Sequence, residues 1–351
     1  MDEGEIEAVA QEATKTLHQC FSQDNRFIYR ECVASGTYGS AHRVQYVHND
    51  RGYLTAHDFL VKKAHTSWDA EYALKEERNY LQQLRGGMHI VQLVDVPNNP
   101  LVGLNYPGEW LVMEWLGNGT LARFIHRAGE TGHHLPNRLL WRFFLCLVRG
   151  SCAMAWPRGR TDNLTELETP IPGVPPGGMF HNDMHCANVL LADLGNGGEH
   201  GITPILKLID FGNSTIAEPG DETTARGVNL WDIGKIMLKL ITLDLGAEEV
   251  KLGDATQVNY LGMMIPTRAN VILPEQPHGP SPYPWLDDWL ATCVALCMIV
   301  EDDHMPPYQT LISWLLYAVV NRDENFYRGR PDETDRQIFE GCKQLLMDAP
   351  T

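Results

Sequence analysis

A chain of 351 residues can bury a large core, in one large domain or two smaller ones. Its 44% hydrophobic and 21% charged residues match an ordinary soluble globular protein. The formal net charge of −17 argues against a nucleic-acid surface, because phosphate backbones reward clustered lysine and arginine, and it fits a cytosolic protein with neutral or basic partners.

Residues 1–22 read as an amphipathic helix outside the main fold, or a frayed tail; their acidic start lacks the apolar stretch of a secretory signal. From Phe27 the pattern turns strand-rich, with Phe27–Ala34, Ala41–His48 and Ala56–Ala64 separated by Gly, Asn and Asp turns. Residues 69–85 carry Ala73, Tyr80, Leu81 and Leu84 among charges, a helical pattern. His89–Val96 and Glu109–Trp115 read as further strands. After Gly117-Asn118-Gly119 the character becomes helical, over 120–128 and then over the strongly apolar 137–156. The Pro-, Gly- and Glu-rich stretch 157–178 reads as an inserted surface loop. Short strands near 188–192 and 205–209 flank a Gly-rich turn at 195–198, and helices follow at 228–243, 284–300, 307–321 and 333–347.

No apolar run reaches membrane-spanning length; the longest, Leu290–Val300, is far too short. The eight cysteines form no CxxC and no Cys/His cluster with zinc-finger spacing, so the sequence supports neither a structural zinc nor a disulfide framework. Reduced thiols in the cytosol or nucleus are the simplest expectation.

The chemistry concentrates in His181-Asn182-Asp183-Met184-His185-Cys186-Ala187-Asn188 and in Leu208-Ile209-Asp210-Phe211-Gly212. Asp183 and Asn188 stand five residues apart before the apolar Val189-Leu190-Leu191, and Asp210 ends a second apolar strand. Phosphoryl transfer needs a carboxylate to orient the acceptor hydroxyl and take its proton, which suits Asp183, and oxygen ligands for Mg²⁺, which suits Asn188 and Asp210. A zinc reading of His181 and His185 fails, because Asn182 stands where an H-E-x-x-H motif needs Glu. Upstream, Val33-Ala34-Ser35-Gly36-Thr37-Tyr38-Gly39 lies between strands, where Gly36 and Gly39 let backbone amides approach phosphates. A plain hairpin turn would also account for these residues. Leu60-Val61-Lys62-Lys63 follows, with either lysine able to face inward by strand alternation, and Glu77 comes fifteen residues after Lys62.

These segments, taken in order, resemble the protein-kinase superfamily, whose catalytic loop H-R-D-x-x-x-x-N and metal-binding D-F-G have this spacing. The resemblance covers residues 27–320. It implies an α+β, bilobal protein-kinase-like fold: a tail or helix over 1–26, a small β-rich N-lobe with one main helix over 27–116, and a larger, mainly helical C-lobe over 117–351. It implies ATP and Mg²⁺ as cofactors, with Asp183 and His185 in the catalytic loop and Lys62 paired with Glu77. Asn188 and Asp210 would then bind metal, and Val33, Gly36, Tyr38, Gly39 and Leu60 would cover the nucleotide. In Leu111-Val112-Met113-Glu114-Trp115-Leu116, Met113 would be the gatekeeper, with Glu114 to Leu116 meeting adenine through backbone groups. His89-Ile90-Val91-Gln92-Leu93 resembles the family's H-x-N-I-V element.

Several residues depart from the pattern. Asn182 replaces the arginine that holds a phosphorylated activation loop, so control of that kind is not expected. Asn229 replaces an aspartate in Asn229-Leu230-Trp231-Asp232-Ile233-Gly234, keeping a polar partner for the catalytic-loop backbone. No A-P-E motif is present, and Asp303-His304-Met305-Pro306 lacks its arginine partner. His185, two residues after Asp183, resembles the loop of aminoglycoside and choline phosphotransferases. The expected activity is γ-phosphate transfer from ATP to a hydroxyl, of a protein Ser/Thr or alternatively of a small alcohol. The further alternative is a nucleotide-binding pseudokinase scaffold.

Overall fold

The computed structural model describes residues 3–50, 53–103, 106–162, 164–194, 197–247, 256–276, 279–301 and 304–347, in a mixed α+β architecture. Its N-terminal part is a four-stranded antiparallel meander of β1 (Phe27–Gly36), β2 (Gly39–Asp50), β3 (Tyr53–Ala64) and β4 (Trp110–Glu114). Strand alternation gives this sheet two apolar faces, with Phe59 and Val61 on one side of β3 and Leu60 and Ala64 on the other. Helix α1 (Glu3–Phe21) covers the first face, where Leu17, Cys20 and Phe21 are buried with Phe27, Val44, Phe59, Val61 and Val112. The N-terminal segment expected outside the main fold is therefore a helix packed into it.

The second face receives α2 (Trp68–Gln83), whose start is set by the Ser67 side chain accepting the Ala70 N–H at 3.3 Å. Its buried positions Ala70, Leu74, Glu77, Tyr80 and Leu81 recur at helical spacing, so one charged residue, Glu77, faces inward with the apolar ones.

Residues 89–96, expected as a strand, form none. Their backbone divides its hydrogen bonds between two sheets. Val91 N–H donates to Leu208 and Leu208 N–H to His89, whereas Glu114 N–H donates to Gln92 and Val94 N–H to Val112. A regular strand cannot change partner edges within a few residues, so the segment becomes a strap joining β4 to the strand that precedes Asp210.

The remainder is mainly helical. After α3 (Pro100–Gly103) and α4 (Leu121–Glu130) comes α5 (Asn137–Ala155), buried along its whole length and packed on α6 (Glu222–Thr242), α8 (Tyr308–Asn321) and β7 (Pro204–Leu208). Pro136 offers α5 no side-chain cap, and the distant Glu333 carboxylate supplies one by accepting the Asn137 and Arg138 N–H groups at 2.7 and 3.0 Å. The hairpin β6 (Val189–Leu194)–β7 carries the catalytic candidates at its ends, while β5 (Met179–Phe180) pairs with β8 (Thr215–Ile216). A hairpin β9 (Thr256–Tyr260)–β10 (Met263–Thr267), α7 (Asp288–Leu296) and α9 (Asp335–Met347) complete the chain. The turn expected at 195–198 and the segment at 303–306 fall partly outside the described residues, at 195–196 and 303. Among the described residues, no helix is long and apolar enough to cross a membrane.

Candidate active site

Strand alternation on β3 turns Lys62 toward α2 and Lys63 toward the opposite face, where its ammonium lies 5.5 Å from the centre of the Tyr106 ring. Lys62 Nζ sits 2.6 Å from Glu77 Oε2 and 2.8 Å from Asp210 Oδ1. Burial works against the ammonium, but Glu77 and then Asp210 outweigh it and hold the Lys62 pKa above the ordinary lysine value. Burial likewise works against the Asp210 carboxylate, and Lys62 outweighs it, holding Asp210 below its ordinary value. Asp210 adopts left-handed backbone angles, φ 65° and ψ 68°, which swing its side chain from the end of β7 toward Lys62.

Lys62, Glu77 and Asp210 line one cleft of about 350 Å³ together with Gly36, Tyr38, Gly39, Asp183, Gly212 and Asn213. Its roof is the β1–β2 hairpin, pinned by His65, whose Nε2–H donates to the Gly36 carbonyl (2.7 Å) and whose backbone N–H donates to Tyr38 (3.0 Å). The two glycines differ in kind. A Cβ on Gly39 would run into the Lys63 carbonyl, so the close approach of β2 to β3 requires that glycine. A Cβ on Gly36 would meet nothing within 4 Å, so the fold itself does not demand a glycine there.

Asp183 is held from two sides. Asn188 Nδ2 donates to its Oδ2 (2.9 Å) and its carbonyl (3.0 Å). His185 accepts the Ala187 N–H on Nδ1 (3.2 Å), which puts its own proton on Nε2, 3.3 Å from Asp183 Oδ1. Beneath them His181 is fully buried, with Nε2 3.1 Å from the Ile209 carbonyl and Nδ1 accepting the Asp183 N–H (3.3 Å). Burial lowers its pKa to about 4, so the ring stays neutral and can both donate and accept. Asn229 takes the role expected of it, accepting the His181 N–H (3.2 Å) and donating to the Met179 carbonyl (2.8 Å). Asn182 adds a link with no sequence signal: at φ 62° it donates to the Asn213 carbonyl (3.0 Å) and the Thr215 hydroxyl (2.9 Å). These bonds tie the 181–188 turn directly to the segment after Gly212.

The chain matches no protein-family model and no curated protein with which it was compared. The site therefore rests on its geometry.

That geometry does not gather every expected residue. Val33, Leu60, Met113, Glu114, Leu116, His185 and Asn188 are absent from the cleft's lining, the last two standing beside Asp183, which does line it. Val33 is exposed on β1, Met113 is buried in the main core, and Leu60 and Leu116 pack against that core while staying only partly buried. Glu114 has its backbone N–H committed to Gln92, and its carboxylate accepts Lys207 Nζ at 2.5 Å and the Gln92 N–H at 2.8 Å. Its side chain thus stitches β4 to β7. The stretch 157–178 is also more than a surface loop, since it sends Glu168 into the interior.

What the cleft can do follows from its charges. Glu77, Asp183 and Asp210 outnumber the Lys62 ammonium there, so a polyanion would need a cation beside it, while Asp183, oriented by two donors, can accept a hydroxyl proton.

Proposed function

We propose that the protein is an ATP- and Mg²⁺-dependent phosphotransferase that moves the γ-phosphate to a hydroxyl. The observation that carries this reading is the Lys62 ammonium, bonded at once to Glu77 from α2 and to Asp210 from a segment 148 residues away, on the wall shared with Asp183. Lys62 would grip the phosphates, with Glu77 fixing its position. Asp183 would orient the acceptor hydroxyl and take its proton, with His185 and Asn188 steadying the carboxylate.

The donor set fits the metal. Asn188 turns its amide nitrogen toward Asp183, leaving its oxygen as the ligating atom, and Asp210 gives Oδ1 to Lys62, leaving Oδ2. Oxygen ligands suit a hard cation such as Mg²⁺, which when bound would offset the phosphate charge.

A protein serine or threonine is the acceptor implied by the resemblance to protein kinases. A small alcohol is the second reading, and one observation favours it. Helix α6 starts at Glu222, earlier than the sequence pattern predicts, and β8 pairs at once with β5, which leaves little chain after Gly212 to lay out a peptide. Labelled ATP with Mg²⁺, offered to basic proteins and separately to a panel of small alcohols, tests both. Transfer that Asp210→Ala reduces by about a hundredfold or more is expected. Equal rates in wild type and Asp210→Ala would remove the reading, and ATP binding without transfer to any acceptor would leave a nucleotide-binding scaffold.

A further inference from the structure

Away from the cleft, three buried side chains from distant parts of the chain converge: His89 in the strap, Cys146 on α5 and His200 in the turn before β7. Their potential ligand atoms all lie within 4.8 Å of one another, and Cys146 Sγ is 3.7 Å from His200 Nδ1. None of the three lines the cleft.

Glu168, reaching in from the 157–178 loop, grips His89 twice: Oε1 accepts its backbone N–H at 2.7 Å, and Oε2 accepts the ring Nδ1–H at 2.6 Å. That bond orients the ring and turns Nε2 away from Glu168. His89 Nε2 is buried without a hydrogen-bond partner. A core held by hydrogen bonds alone would leave that nitrogen unsatisfied. A carboxylate behind an imidazole whose other nitrogen points at a thiol is instead the arrangement that orients a histidine for a metal.

We propose that His89, Cys146 and His200 form a Zn²⁺ site, with Glu168 orienting His89 from behind. Zinc bonds of about 2.0–2.3 Å put neighbouring tetrahedral ligands roughly 3.3–3.8 Å apart. Cys146 and His200 already stand at that separation, and the widest pair has to close by about 1 Å, within reach of small ring rotations. Charge agrees as well. A Cys146 thiolate and the Glu168 carboxylate sum to the charge a dication balances, while Arg149 is committed to Glu199, at 2.5 and 2.7 Å. Thiolate with imidazole favours zinc over Mg²⁺ or Ca²⁺, and three protein ligands leave a fourth position for water. The ion would lock the strap to β7, where the His89 carbonyl already accepts the Leu208 N–H at 2.9 Å, and so brace the strand leading to Asp210. This site stands or falls independently of phosphoryl transfer.

The test is metal analysis of the full chain, produced with zinc in the medium and dialysed into metal-free buffer, followed by replacement with Co²⁺. The expected result is a single zinc per chain, a thiolate-to-Co²⁺ charge-transfer band in the near ultraviolet, and loss of both in Cys146→Ser. Should Cys146→Ser fail to fold, His200→Ala decides instead, because loss of the band and of the zinc in that variant ties both to this cluster, and a full band and full zinc there would overturn the proposal. A folded wild-type chain with no zinc after incubation with the ion and no charge-transfer band would overturn the proposal. So would zinc retained undiminished by both Cys146→Ser and His200→Ala, since the ion would then lie elsewhere.

Discussion

At the scale of single residues, Asn182 combines two constraints that can be separated. Its left-handed backbone suits Asn or Gly, whereas its hydrogen bonds to Asn213 and Thr215 need the amide. Asn182→Gly should lose only the bonds and Asn182→Ala both terms, for losses of about 1 and about 2 kcal/mol in urea unfolding. A glycine variant less stable than the alanine one would contradict this account. Lys62 and Glu77 are coupled in a different way. Glu77 has almost no exposed side chain, and burial pushes its carboxyl pKa up, so without Lys62 it takes up a proton or stays as an unpaired charge. Lys62→Met should therefore cost about 3 kcal/mol, and adding Glu77→Gln should recover part of the loss. Strictly additive losses in the double mutant would show that the pair is not coupled.

At the scale of elements, the sequence pattern located most helices and strands but not what each one touches. The amphipathic stripe of α1 is readable, whereas the face it covers exists only once β1–β4 have formed. Phe21→Ala should thus behave as a core substitution, with a loss of about 3–5 kcal/mol in urea unfolding. A loss below about 1 kcal/mol would mean that the helix packs loosely or not at all. Residues 89–96 mislead for a related reason. Ile90, Val91, Leu93 and Val94 have strand composition, but composition cannot reveal that their backbone serves two sheets. That division puts the lysine strand and the aspartate strand on one frame, with the Glu114–Lys207 ion pair as a second tie.

At the scale of the whole molecule, two buried histidines contribute to how acid weakens the fold. Burial lowers His42 and His181 to about 4. His42 sits between the Tyr29 hydroxyl (3.0 Å) and Ser40 (2.8 Å), and His181 lies near Asp183, Asp210 and His185, the two aspartates opposing its shift. An unfolded chain takes up these protons near pH ~6.5, while the folded one does so only near 4. Between those values the unfolded state binds more protons, so this stability is whole above about pH 6.5 and drains away as pH falls toward 4. Calorimetry at pH ~5.5 in several buffers should record net proton uptake on unfolding; release would contradict the assignment. The same scale explains what the sequence conceals. Asp183, Asn188 and Asp210 are legible because each lies in a contiguous motif. His89, Cys146 and His200 share no spacing, and only the packing of α5 against the strap and β7 brings them together.

Adjacent lysines on opposite faces of β3 offer the most direct test of the central claim. Mg²⁺-ATP turnover, compared between Lys62→Met and Lys63→Met with melting curves to confirm that both fold, isolates the inward charge. The account predicts a loss of about a hundredfold or more for Lys62→Met and a change within about threefold for Lys63→Met. Equal rates in the two folded variants, or a larger loss in Lys63→Met, would contradict it.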